Sequence, residues 1–127
     1  MSVFSWALAI AIGAVGGVIL RHAAYLFIES RNKTQFPIPS LFVNLLGSFL
    51  IGLFASLATS GAIGHFGFEI LVAGGCGSFT TFSSFSSDWM RLNRAGRTGL
   101  GLLYAGLTVV LGLGLAALGL ALGPIIS

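Results

Sequence analysis

Polar residues along the chain collect into short islands, and the stretches between them are apolar over spans of helical length. Crossing a hydrocarbon core takes ~20 helical residues at ~1.5 Å rise each. Four stretches meet that requirement, at roughly Val3–Phe27, Leu41–Ala62, Glu69–Ser87 and Thr98–Gly123. The pattern predicts an all-α integral membrane protein with four transmembrane helices in a single domain, residues 1–127. Open strands are excluded, because unpaired backbone groups have no water to bond in lipid. The first connector, Ile28–Ser40, carries Glu29, Arg31, Asn32 and Lys33, with Pro37 and Pro39 expected to stop one helix and set up a new start at Ser40. The second, Ile63–Phe68, is brief, and the third, Asp88–Arg97, carries Arg91, Arg94 and Arg97 at a spacing that suggests a helix end running into the interface.

Composition narrows the function classes. Of 127 residues, 56% are apolar and 7% charged, against about a quarter charged in soluble domains. Three acids and two histidines leave little for a catalytic set or a side-chain metal site, so the chain reads as no enzyme. The formal charge is +3, and the basic residues are too few and scattered for a nucleic-acid surface. Cys76 is the single cysteine and has no internal disulfide partner. Met1 to Trp6 has no basic residue and the apolar run that follows is long, so the first span is expected to stay in the membrane. The first and third connectors hold five of the six basic residues, Arg31, Lys33, Arg91, Arg94 and Arg97, and the sixth, Arg21, lies inside a span. The positive-inside rule therefore puts those connectors in the cytoplasm and both termini outside.

The 19 glycines suit helices that approach closely, since lipid leaves packing through small residues as the main attraction between spans. Gly13, Gly17 and Arg21 fall at i, i+4 and i+8, one stripe of a helix, which is expected to face protein. A unit of four thin helices hides few polar groups, so association with another copy is expected.

Several polar residues sit at membrane depth. Arg21 either snorkels to the headgroups or lines a wet entrance that attracts anions. Asn44, with Ser48 and Gly52 on its face, must point inward, as interhelical glue or as a pore donor. Most informative is the run from Gly74 to Ser87, in which Gly74, Gly75 and Gly77 are followed by seven hydroxyl residues. Such a run makes a poor helix, because glycine gives up backbone entropy and hydroxyls compete for carbonyls. A break is expected between Gly74 and Thr80. Freed carbonyls of Gly77 and Thr80 could hold a small hard cation, which prefers oxygen. Phe82 and Phe85, three apart, share a side of the helix beside Thr81, Ser83 and Ser84. They serve either packing or a pathway, since ring edges carry positive charge that welcomes an anion. Tyr104 and Thr108 add a hydroxyl pair at i, i+4. Dehydrating a small ion has an idealised cost of order 20 kcal/mol, which donors and dipoles must replace. Neutral hydroxyls, an amide and ring edges can do so for a small anion. Glu69 and Asp88 both lie at span ends, so a proton-coupled carrier has no buried carboxylate to use.

The residues Gly74-Gly75-Cys76-Gly77-Ser78-Phe79-Thr80-Thr81-Phe82-Ser83-Ser84-Phe85-Ser86, with Val43-Asn44-Leu45-Leu46-Gly47-Ser48-Phe49 and Gly16-Gly17-Val18-Ile19-Leu20-Arg21, resemble the signatures of the CrcB/Fluc fluoride channels over nearly the whole chain. The resemblance implies a passive fluoride-selective channel of the plasma (inner) membrane that relieves fluoride toxicity. It also implies an antiparallel, dual-topology dimer with a structural sodium ion at its centre. By carry-over, Phe82 and Phe85 supply ring edges, and Asn44, Thr81, Ser83, Ser84, Tyr104 and Thr108 line the fluoride pathway. Arg21 borders a vestibule, and Gly77 and Thr80 give backbone carbonyls to sodium. Ser84 stands where the family often has Thr, and Asp88 where Glu is frequent. The five-to-zero charge bias argues for one orientation, so the partner is either an identical chain that ignores it or an oppositely oriented homologue. Two other classes compete: a small multidrug-type transporter, which relies on an acid in the first span, where positions 3–27 have none, and a non-transporting subunit of a membrane complex.

Overall fold

The structure is a computed structural model that describes residues 2–32, 36–61, 63–76, 79 and 82–126, the side chains of His65, Phe66, Glu69, Phe82, Ser83 and Ser84 excepted. Regular structure among the described residues is helical throughout: α1 (Val3–Glu29), α2 (Ile38–Thr59), the short α3 (His65–Phe68), a π-helical segment (Glu69–Cys76), α4 (Phe82–Arg94) and α5 (Thr98–Ile126). Three of these, α1, α2 and α5, are long and apolar enough to cross a membrane. The stretch expected as a broken third span is described in part. Its described part passes from α3 into eight π-helical residues ending at Cys76, and regular α-helix resumes at Phe82. Residues 77, 78, 80 and 81 lie outside the described residues.

Helix boundaries follow local chemistry. α2 begins at Ile38, two residues before Ser40, with Pro39 in its first turn; a proline there gives up no hydrogen bond, because the first four N–H groups have no intrahelical acceptor. α4 continues through Arg94, so Arg91 and Arg94 lie on its last turn, the helix end their spacing suggests, and Arg97 follows the turn. It stops at Gly96, whose φ of 76° is open to glycine without the Cβ penalty. Gly96 N donates to Asn93 O at 3.1 Å and Arg97 N to Leu92 O at 2.8 Å, the paired bonds of a Schellman motif. That turn folds α5 back against α4. Arg31 closes the end of α1, donating to Phe27 O at 3.1 Å with its guanidinium 4.0 Å from the Phe27 ring centroid.

Packing runs through two glycine seams. In one, α2 lies on α5: a Cβ on Gly52 would collide with Ala116 O, and one on Gly119 would collide with Phe49 O and lie 2.6 Å from Leu53 N. In the other, α1 lies on the π-helical segment: a Cβ on Gly13 would collide with Ile70 O, and one on Gly74 would collide with Ile10 O and lie 2.8 Å from Gly13 Cα. Backbone meets backbone in both, the approach that small residues permit between membrane helices. Gly17 is buried as the stripe predicts, and Arg21 is half-buried one turn on. Between α1, α2 and the π-helical segment an apolar groove of about 910 Å³ remains, lined by Gly16, Leu20, Phe42, Leu46, Phe54 and Phe79 among others.

Candidate functional site

The polar chemistry concentrates at one end of the bundle, where four helices meet. Tyr25 comes from α1, Ser40 from the first turn of α2, Asp88 and Arg91 from α4, and Tyr104 from α5. Tyr25 Oη and Ser40 Oγ are 2.6 Å apart, and Ser40 Oγ donates to Asp88 Oδ2 at 2.5 Å. A serine hydroxyl has one proton. Since it goes to the carboxylate, Tyr25 must be the donor in the first bond, and the three groups form a directed chain from Tyr25 through Ser40 to Asp88. The other carboxylate oxygen faces Arg91 at 3.4 Å. Ser40 is 2% exposed, so this chain supplies what water cannot.

Tyr104 is fully buried beside it. Its ring meets Phe36 edge-on, with centroids 5.8 Å apart and planes at 88°, and Phe85 at 5.2 Å and 33°. Phe36 is tied to the end of the first connector by Asn32, whose side-chain amide donates to Phe36 O at 2.9 Å. Tyr25, Asp88 and Arg91 are within electrostatic reach of the Tyr104 hydroxyl, and Ser40 is its near polar neighbour. In the arrangement present, however, the phenol oxygen makes no hydrogen bond of acceptable geometry and is buried without a partner. Leaving a buried polar group unpaired costs about 1–3 kcal/mol. Asn93 Oδ1 is the other such atom among the described residues; it lies against the α4–α5 turn, 3.5 Å from where a Gly101 Cβ would sit.

The residues singled out from the sequence are distributed as follows. Phe85 and Tyr104 are brought together. Thr108 donates to Tyr104 O at 2.7 Å and Ser48 to Asn44 O at 2.8 Å, so both hydroxyl protons are committed to the preceding helical turn, and either must rotate before it can donate elsewhere. Asn44 is half-buried on α2. Arg21 has no ion pair among the described residues. Phe82, Ser83 and Ser84 open α4, with side chains outside those described. Gly77, Thr80 and Thr81 lie outside the described residues.

Tyr25, Phe36 and Ser40 were not legible as site residues. One signal pointed to the first of them: Tyr25 extends the Gly13, Gly17, Arg21 stripe by one more turn. Ser40 gave only the appearance of a helix start.

Chemically, the cluster offers neutral donors and aromatic rings around a single carboxylate that accepts from Ser40 and is paired with the exposed Arg91. No group of three or more His, Cys, Asp or Glu that could hold a metal ion forms among the described residues. Three long apolar helices around a buried polar end define a multi-pass α-helical membrane protein. The family is fixed by comparison: residues 8–120 match the model described as CrcB-like protein, Camphor Resistance (CrcB), and the chain belongs to that family. It is 42% identical over 116 residues to a Thermus thermophilus protein named fluoride-specific ion channel FluC, covering 91% of this chain and 93% of that one. It is also 37% identical over 121 residues to a Bacillus thuringiensis protein named fluoride-specific ion channel FluC 2, covering 94% and 98%. A Listeria innocua protein named fluoride-specific ion channel FluC 1 is 36% identical over 116 residues, covering 91% and 95%.

Proposed function

We propose that this chain is a passive fluoride-selective channel that lets the ion leave the cytoplasm across the plasma membrane and so relieves its toxicity. The observation that carries the reading is the buried Tyr104 hydroxyl, unpartnered and flanked by Phe36 and Phe85, in a chain whose full-length relatives are named fluoride-specific channels. A donor held without a partner is ready to replace a water molecule around a small anion, and costs no bond when it does so. Phe85, with Phe82 one turn earlier on the same helix, offers ring edges. Asn44, Thr81, Ser83, Ser84 and Thr108 continue the donors along the pathway, and Arg21 draws anions to its mouth. A channel of this kind transforms no substrate, so the reading leaves no place for enzyme chemistry.

The assembly belongs to the same proposal. The stretch from Glu69 to Ser87 acts as a fourth, broken membrane span, and the apolar groove beside α1 and α2 suits a second copy in antiparallel orientation. The five-to-zero charge bias makes an oppositely oriented homologue the competing partner. Gly77 and Thr80 would turn backbone carbonyls to a structural sodium ion at the dimer centre. Hard oxygen donors of zero charge match a small monovalent cation, and two carbonyls are half of a set that the second copy would complete.

Purified protein in liposomes is expected to release fluoride far faster than chloride, with Phe82→Ile and Asn44→Asp each depressing the fluoride flux. Equal passage of chloride would overturn the reading, and no flux of either ion would favour the non-transporting subunit.

A further inference from the structure

We propose that Tyr25 is a positioning residue of the pathway: by donating to Ser40 it holds that hydroxyl between α1 and Asp88, and so leaves the Tyr104 phenol free to face the anion. The inference rests on the fluoride reading of the site. It follows from counting protons. Three hydroxyls and one carboxylate meet at this end of the bundle. Tyr25 gives its proton to Ser40, and Ser40 gives its proton to Asp88. Of the three, Tyr104 keeps a proton that no protein atom accepts among the described residues.

The Ser40 oxygen is the pivot. It is buried, so it must draw its donor from protein, and a buried acceptor left without one carries a penalty. Tyr25 satisfies it from the α1 side. Take that hydroxyl away, and among the described residues the neighbour of Ser40 with an uncommitted proton is Tyr104. The phenol would then turn to Ser40, and the anion would lose the one donor held ready for it. The charged groups at this spot, Asp88 and Arg91, face each other on α4, so neither offers Ser40 a replacement donor without breaking that pair. Tyr25 thus acts through Ser40 and Tyr104 and does not touch the ion itself.

The chain has two tyrosines, which makes the idea readable. In the Tyr25→Phe protein every phenol signal comes from Tyr104, and the infrared C–O stretch of ring-labelled tyrosine reports whether that phenol donates. The expected results are a fluoride efflux about three- to tenfold below the unsubstituted protein, the kinetic equivalent of one hydrogen bond, and a Tyr104 band at the donating position. In the Ser40→Ala/Tyr25→Phe protein the band should return to the non-donating position, and the second substitution should add no further loss to that of Ser40→Ala alone. An unchanged flux in Tyr25→Phe, an equal loss with and without Ser40, or one Tyr104 band position in both proteins would each overturn the proposal. Should the unsubstituted protein pass no fluoride, the channel reading fails by itself, and the band comparison still decides whether Tyr25 keeps Tyr104 free.

Discussion

Helices α2 and α5 meet by different means at different points along their length. Along their middle they touch backbone to backbone through Gly52 and Gly119, with no side chain between and no polar group left over. Towards the end that carries Ser40 and Tyr104, large aromatic rings surround the α5 side chain, and one buried hydroxyl is left without a partner. The middle is optimised for closeness, the end for capacity. A membrane helix pair gains little from burying apolar side chains, which lipid solvates equally well, so close packing must hold it together.

That contrast can be broken from either side. The largest effect is expected from Gly119→Val: its Cβ would strike the backbone of Phe49 and Leu53, which cannot move aside as a side-chain tip can. A loss of about 3 kcal/mol or more should follow, seen as loss of a monodisperse species on size-exclusion chromatography in detergent. Recovery of wild-type behaviour would show that the seam is not a fixed contact. Next comes Tyr104→Phe, which leaves the ring between Phe36 and Phe85 and removes only the unpaired oxygen. Fluoride efflux should fall about tenfold, equivalent to ~1.4 kcal/mol in the barrier. Thermal stability should hold or rise, because a buried unsatisfied group disappears. A fall in stability with unaltered flux would make Tyr104 a packing residue only.

Gly96→Ala tests the turn that presents α5 to α4. Forcing a Cβ into φ of 76° should cost about 1 kcal/mol, measurable as a lowered melting temperature with ion selectivity retained. The smallest effect is expected at the rim. Arg91 is 56% exposed and 3.4 Å from Asp88, and exposed pairs are worth only about 0.2–1 kcal/mol. Arg91→Ala should therefore leave the melting temperature nearly unchanged. A large drop would place Asp88 in a drier setting than its partners indicate.

The long apolar helices were legible because each carries its own evidence, an uninterrupted run with punctuation at both ends. Even there the boundaries moved. Pro39 read as an obstacle and sits inside the first turn of α2, where a missing N–H does no harm. The spacing of Arg91 and Arg94 suggested a helix end, and both lie in the last turn of α4, which extends helix through charged residues that a connector was expected to hold. The glycine run after Ala73 predicted irregular backbone, and the described part of it is π-helical. The site was only half legible. Tyr104 was singled out, and Phe85 with it. The Tyr25–Ser40 pair spans 15 positions and joins two helices across a proline-containing connector, so no local spacing announces it.

The sequence by itself determined that this protein lives in a membrane and that helices carry it across. These follow from the local balance between apolar runs and backbone hydrogen bonding, which each stretch settles alone. Tertiary structure alone decided which glycines must remain bare, where each hydroxyl sends its proton, and that Tyr104 has none to receive its own. Those outcomes depend on which groups from different helices come within hydrogen-bonding reach of one another, and distance between helices is not written in any one of them.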